Sequence, residues 1–207
     1  MSDNKAETLL GESETLAFYD RNARSYVAAR PGELPSDLLA FLPRLEFGAT
    51  ILELGCGSGV AAAEMERLGF RVVPTDGSAS MAAIASETLG RKIEVLRFED
   101  LDDKERFDAV VACASLLHVP VEGLADVLRR IWSSLKPGGW HFASFKTDGR
   151  AARDQHGRYY NYLDRAAAAA VYELAGNWQK MIFEHYDGVG HFSAPARWLT
   201  VTAQKSD

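Results

Sequence analysis

The sequence predicts an α/β protein: a doubly wound, mostly parallel seven-stranded sheet with an antiparallel terminal strand, helices on both faces, and two helices ahead of the first strand. Three features predict it. Short apolar runs suited to buried strands alternate with segments of helical period. The connections among the first five strands leave room for helical crossovers, which makes those strands parallel and covers the sheet on both sides. After Lys146 the alternation stops, and two strand-like runs joined through Asp187-Gly188-Val189-Gly190 read as an antiparallel pair.

In order along the chain, residues 14–30 place Leu16, Tyr19, Ala23, Tyr26 and Val27 at helical spacing, and Pro31-Gly32 ends that helix. A short helix follows Ser36 as its cap, with Leu38, Leu39, Phe41 and Leu42 turned inward. Strands are expected at Thr50–Leu54, 71–75, 93–98, Phe107–Ala112 and 140–145. Helices are expected at 58–68, 80–89 and 123–135, the last closed by Lys136-Pro137-Gly138-Gly139. Residues 147–162 are polar, basic and aromatic; a helix at 164–175 and strands at 178–186 and 198–203 finish the chain. The segment after the fifth strand is too short for a second core, so residues 1–207 read as one domain.

Composition narrows the class. Of 207 residues, 47% are hydrophobic and 25% charged, an ordinary globular make-up, and two cysteines exclude a disulfide scaffold. With 23 basic against 29 acidic residues the net charge is −6, which argues against a protein whose main task is gripping nucleic-acid phosphates. Residues 1–14 are polar and acidic, without the apolar stretch of a secretory signal, and no apolar run reaches the ~20 residues of a membrane span. The expectation is a soluble, cytoplasmic protein with neither a membrane nor a nucleic acid as partner.

The strongest signal is Ile51-Leu52-Glu53-Leu54-Gly55-Cys56-Gly57-Ser58-Gly59, a strand running into glycines ahead of a helix. An open parallel sheet presents ligands at such an edge. The dinucleotide fingerprint places glycine at 55, 57 and 60, but residue 60 is Val60 and the third glycine comes one position early. Asp76 closes the second strand about twenty residues beyond Gly55, where a carboxylate can accept both ribose hydroxyls of a nucleoside.

Glu53-Leu54-Gly55-Cys56-Gly57-Ser58-Gly59 resembles the first motif of class I S-adenosylmethionine-dependent methyltransferases, which have a Rossmann-like sheet. The later motifs follow in the same order: Asp76-Gly77-Ser78 with Met81, then Phe98-Glu99-Asp100-Leu101, then residues 107–113, then Leu135-Lys136-Pro137-Gly138-Gly139. Tyr19, Tyr26 and Arg30 are similar in spacing to the lid helix of the small-molecule members, so that 14–43 would form lid helices. Tyr26 and Arg30, four apart, equally suit one exposed helical face.

The resemblance implies S-adenosyl-L-methionine as cofactor, S-adenosyl-L-homocysteine as product and a small-molecule acceptor. It implies that Gly55, Cys56 and Gly57 meet the methionine moiety with Glu53 beside them. Asp76, Gly77 and Ser78 would serve the ribose, with Met81, Glu99, Asp100 and Leu101 around the adenine and Cys113 and Ala114 at the ammonium. The sulfonium carries the difficult chemistry itself, and the protein holds and aligns.

A base is needed only for a protonated acceptor, and His118, just past the fourth strand, is the candidate catalytic residue, also placed to touch the cofactor. A packed or helix-capping histidine is the plain alternative. Residues 147–176 would form an acceptor-side loop and helix, in which Arg150, Arg153, His156, Arg158, Tyr159 and Tyr160 are the candidate acceptor contacts. The same run also suits a solvated loop. Cys56 and Cys113 follow strands expected to be neighbours, without the histidine partners of a metal site. His141 reads as structural, His185 and His191 have no visible partners, and Trp178 and Trp198 read as core. Two rivals stand beside this reading: a nicotinamide-dependent oxidoreductase on the same sheet, and a protein that binds S-adenosylmethionine without turnover.

Overall fold

The computed structural model describes residues 2–29, 34–190 and 195–207, with side chains from Glu14 onward. Its centre is a sheet of order β3-β2-β1-β4-β5-β9-β8. The strands are β1 (Thr50–Leu54), β2 (Arg71–Asp76), β3 (Glu94–Val95), β4 (Phe107–Ala112), β5 (Leu135–Lys146), β8 (Trp178–Val189) and β9 (Pro195–Lys205). The pairs β1–β2, β1–β4, β2–β3 and β4–β5 are parallel. β9 runs antiparallel to both β5 and β8, as the sequence predicts for the terminal strands.

Strand alternation sorts the core onto two faces. Ile51, Ala109 and Val111 pack with Leu38 and Phe41 of α2 (Ser36–Phe41) and Ala62 and Met65 of α3 (Val60–Arg67). Leu52, Leu54, Val110 and Ala112 pack on the other face with Leu128 and Ile131 of α5 (Val121–Ser134) and Ala168 and Tyr172 of α6 (Arg165–Ala175). His141 is fully buried there: its Nδ1 lies 2.9 Å from the Val110 carbonyl, its ring stacks on Tyr172, and burial lowers its pKa to about 4. It is structural.

Four differences from expectation have local causes. Helix α1 spans Ser2–Ala28 and starts well before residue 14, through a run in which the helix formers Lys5, Ala6, Glu7, Leu9, Leu10 and Glu12 propagate a helix without an apolar stripe. The third strand shrinks to Glu94–Val95 because it is the sheet's edge and pairs only with β2; Phe98–Asp100 form a 3-10 turn instead. A two-stranded hairpin, β6 (Ala152–Arg153) with β7 (Tyr159–Tyr160), occupies the polar segment expected to be a loop. Finally, α6 packs against α5 and the sheet through Ala168, Val171 and Tyr172, so it belongs to the core rather than to the acceptor side.

Candidate functional site

The strand order reverses between β1 and β4, and the turns after β1, β2, β3 and β4 all open at the same carboxyl edge. A cavity of about 620 Å³ lies over that edge, within the size range of small-molecule sites. Its wall takes Glu53, Gly55, Cys56 and Gly57 from the first turn, Asp76 and Gly77 from the second, Arg97 to Glu99 from the third, and Cys113 to Ser115 from the fourth. Met81, at the start of α4 (Ala79–Leu89), and Tyr19 and Tyr26, from α1, complete it.

The glycine turn is held by backbone hydrogen bonds. The N–H groups of Gly55 and Cys56 both donate to the Thr75 carbonyl at 2.9 Å. Gly55 has φ +78°, and a Cβ there would stand 2.6 Å from that of Ser115, so glycine is required by both conformation and space. Gly57 has φ +57° and nothing within 4 Å of a would-be Cβ. Ala114, at φ +49°, is one of the few non-glycine residues in the left-handed region, and its N–H donates to Ser144 Oγ at 2.9 Å.

Two carboxylates set the electrostatics. Asp76 accepts from the N–H of Gly57 on one oxygen and of Ser78 on the other, each at 2.9 Å. Burial nevertheless pushes its pKa up to about 6, and Asp20 adds to the rise. Glu53 is 3% exposed, and its Oε2 has no hydrogen-bond partner among the described residues. Burial first, then Asp76 and Glu66, raises its pKa to about 8. A wall with an unsatisfied buried carboxylate oxygen beside a second carboxylate favours a ligand bearing a cation and hydroxyl donors there. A pyrophosphate in that place would meet the charge of Asp76 and oppose the ionisation of Glu53, whereas a cation favours it. The residues therefore fit an ammonium-bearing nucleoside and not a dinucleotide.

Helix α1 lies across the cavity and is tied down at several points. Tyr19 Oη donates to His118 Nε2 at 2.9 Å, while His118 Nδ1 lies 2.6 Å from the Tyr159 carbonyl. That carbonyl requires the proton on Nδ1 and leaves Nε2 as the acceptor. Burial, with help from Arg158 and Lys146, lowers the His118 pKa to about 4, so the imidazole is neutral. Asp20 accepts from Ser78 Oγ at 2.6 Å and the Ser80 N–H at 3.1 Å, and Thr15 Oγ1 accepts from the Tyr159 N–H at 3.0 Å.

Several expected site residues lie elsewhere. Arg30 and His191 fall outside the described residues. Ser78 is fully buried as the N-cap of α4, and Leu101 is buried with its carbonyl bonded to Arg130. Asp100 is exposed off the cavity wall, so the third turn presents Arg97, Phe98 and Glu99 instead. Arg158 does not face an acceptor: 3% exposed, it pairs with Asp154 at 2.6 Å and lies 4.6 Å over the Phe18 ring. Arg153 pairs with Glu14 at 2.9 Å, His156 is exposed beside Phe18, and Arg150 is exposed. Of that hairpin's residues only Tyr160 reaches the ligand side, while Tyr159 contributes its backbone.

Sequence reasoning also missed Lys146, Tyr186 and, as more than core, Trp198. Their only sequence signal is a position at the β5 carboxyl end or opposite it in the β5–β9–β8 register, where Lys146 faces Trp198 and Trp198 faces Tyr186.

Residues 26–193 match the family described as "Methyltransferase domain". The chain belongs to that family. The methyltransferase's class I fold is the one the sequence motifs imply, with S-adenosylmethionine as the family's cofactor. It is 35% identical over 131 residues to the ubiquinone biosynthesis O-methyltransferase of Nitrobacter winogradskyi, covering 61% of this chain and 43% of that protein. The chain thus spans less than half of that relative. Among solved structures, a SAM-dependent methyltransferase from Methanosarcina mazei superposes with TM-score 0.72 at 16% identity, covering 81% of this chain and 97% of that one. The 1,6-didemethyltoxoflavin-N1-methyltransferase of Burkholderia thailandensis superposes with TM-score 0.71 at 22% identity, covering 99% and 90%. These two likenesses establish the shared fold. Among the described residues no helix is long and apolar enough to cross a membrane, and no cluster of three or more His, Cys, Asp or Glu could hold a metal ion.

Proposed function

We propose that this methyltransferase moves a methyl group from S-adenosylmethionine to a small-molecule acceptor by in-line displacement. The observation that carries the proposal is Glu53, which lines a nucleoside-sized cavity and whose buried Oε2 has no hydrogen-bond partner among the described residues, with Asp76 and the open space at Gly57 on the same wall. The bound cofactor supplies a methyl group already activated on a sulfonium. The chain's part is to hold and orient. Glu53 receives the ammonium together with the backbone at Cys113 and Ala114. Asp76 receives the ribose hydroxyls on lone pairs its two backbone bonds leave open. Met81, Phe98 and Glu99 surround the base, and Tyr19 and Tyr26 close the methionine end against water.

His118 is proposed as a positioning residue and not as the base. Moving a proton from a phenol of ordinary pKa to an imidazole near 4 runs about 8 kcal/mol uphill. Its neutral Nε2 instead fixes Tyr19 over the cavity. A small acceptor is supported by the lid helix and by an aromatic acceptor side. The O-methyltransferase relative and the N1-methyltransferase neighbour, whose structure holds 1,6-didemethyltoxoflavin and S-adenosylhomocysteine, point the same way. Neither a nucleic acid nor a membrane is proposed as partner.

Calorimetric titration tests the reading. S-adenosylmethionine and S-adenosylhomocysteine are expected to bind saturably and NADH not at all. Binding of NADH alone would overturn the proposal.

A further inference from the structure

The turns that carry the cofactor motifs follow β1 to β4, yet the same cavity runs on over the other half of the sheet. There β5, β9 and β8, with the residue after β8, supply Ser144, Trp198, Tyr186, Val189 and Gly190 to its wall. Ser144 pairs with Thr200, while Trp198, two residues from Thr200, pairs with Tyr186 on its other side. Alternation along the strands therefore puts Ser144, Trp198 and Tyr186 on one face of the sheet. This stretch of wall belongs to no cofactor motif and is left to the methyl acceptor.

Both its shape and its polar chemistry are narrow. The Trp198 and Tyr186 rings lie 6.2 Å apart at 9°, so they present parallel planes. A flat aromatic ring gains offset stacking on such a surface beyond the area it buries, whereas a saturated ring gains only the burial. The oriented donor of this wall is Ser144. It is 4% exposed, and its Oγ accepts the N–H of Ala114 at 2.9 Å. That bond occupies an oxygen lone pair and turns the hydroxyl hydrogen elsewhere, where it meets no acceptor among the described residues. A buried hydroxyl with an unused hydrogen on a cavity wall is satisfied by a ligand atom that accepts it.

We infer that the methyl acceptor is a flat aromatic compound lying against Trp198 and Tyr186, with an oxygen or ring nitrogen that accepts a hydrogen bond from Ser144 Oγ. This rests on the methyl-transfer reading above and names its acceptor class, together with a residue that selects it. Ala114, the other partner of Ser144, stands in the turn after β4 beside Cys113, at the proposed ammonium site. The bonded ligand atom is thus held next to the methionine end of the cofactor. Ser144 fixes which edge of the ring turns toward the methyl group.

The test uses protein saturated with S-adenosylhomocysteine and three uncharged probes of similar size. Acetophenone has the ring and the accepting oxygen, cyclohexyl methyl ketone only the oxygen, and ethylbenzene only the ring. Acetophenone should bind about threefold or more tightly than cyclohexyl methyl ketone. Its carbonyl stretch, read by isotope-edited infrared difference spectroscopy, should lie at lower wavenumber when bound than in an apolar solvent. Ser144→Ala should return the stretch to the apolar-solvent position and weaken acetophenone by about threefold to tenfold relative to ethylbenzene. Ser144→Thr, which keeps the hydroxyl, should retain both properties. Failure of S-adenosylhomocysteine to bind would overturn the underlying reading. If it binds, this inference alone is overturned by no binding of acetophenone at millimolar concentration, by cyclohexyl methyl ketone binding as tightly, or by a bound carbonyl stretch at its apolar-solvent position. A Ser144→Ala protein that weakens all three probes equally, with the stretch still low, would overturn it too. The wild-type comparison and spectrum decide the matter even if Ser144→Ala does not fold.

Discussion

Tyr19 Oη and His118 Nε2 meet at 2.9 Å across 99 positions of sequence, joining the lid helix to the turn after β4. Because the Tyr159 carbonyl holds the other ring nitrogen, this one bond also ties in the β6–β7 hairpin. Tyr19→Phe leaves His118 Nε2 buried without a donor, at a cost of about 1–3 kcal/mol. The expected result is faster amide exchange over residues 14–28 and weaker S-adenosylhomocysteine binding. Unchanged exchange would show that the lid is held by its other contacts.

Glu53 carries the pH dependence. Its folded pKa, about 8, lies above the ordinary carboxyl value, so the folded state binds the extra proton between those values. Stability contributed by that proton is complete below the ordinary value and is lost as pH rises through about 8. Asp76 acts in the same direction up to about 6. The ligand-free protein should melt at progressively lower temperature from pH 5 to pH 8, and Glu53→Gln should flatten the decline. An ammonium beside Glu53 favours its ionised form, so cofactor binding should release protons near pH 7. Titration in buffers of different ionisation enthalpy measures that release.

The two turn glycines should fail in different ways. Gly55→Ala forces a methyl group to within 2.6 Å of Ser115 Cβ and should cost about 1–3 kcal/mol from packing alone. Gly57→Ala meets no atom within 4 Å and carries mainly the left-handed backbone penalty of about 1–2 kcal/mol. Urea midpoints and S-adenosylhomocysteine affinity should therefore separate: stability falls more for Gly55→Ala, and affinity falls more per unit of stability for Gly57→Ala.

Asp76→Ala removes the acceptor for two backbone N–H groups and for the proposed ribose hydroxyls. Adenosyl binding should weaken by about 1–3 kcal/mol. An unchanged dissociation constant by calorimetry would take Asp76 out of the site.

Arg158→Met tests a residue whose role differs from its expected one. With the Asp154 pair and the Phe18 contact gone, the hairpin and lid should lose about 1–3 kcal/mol, seen as a lower urea midpoint. A stable variant with lost anion binding would return Arg158 to the acceptor side.

What was legible in the sequence is what short stretches decide alone. The strand and helix periods of residues 50–146, the glycine turn with its missing third dinucleotide glycine, and Asp76 at the end of a strand are all local patterns. A parallel sheet brings the ends of β1, β2 and β4 together whatever the side chains around them, so those motifs also placed one wall of the cavity. The tertiary structure alone decided the other wall. Arg158 turns inward because a ring and a carboxylate lie behind it, and Phe18 is 140 positions away from it. Lys146, Trp198 and Tyr186 meet through the register of three strands. His118 becomes a neutral anchor because Tyr19 and the Tyr159 carbonyl take its two nitrogens. A side chain's charge state and direction depend on neighbours distant in sequence, and no local pattern encodes them.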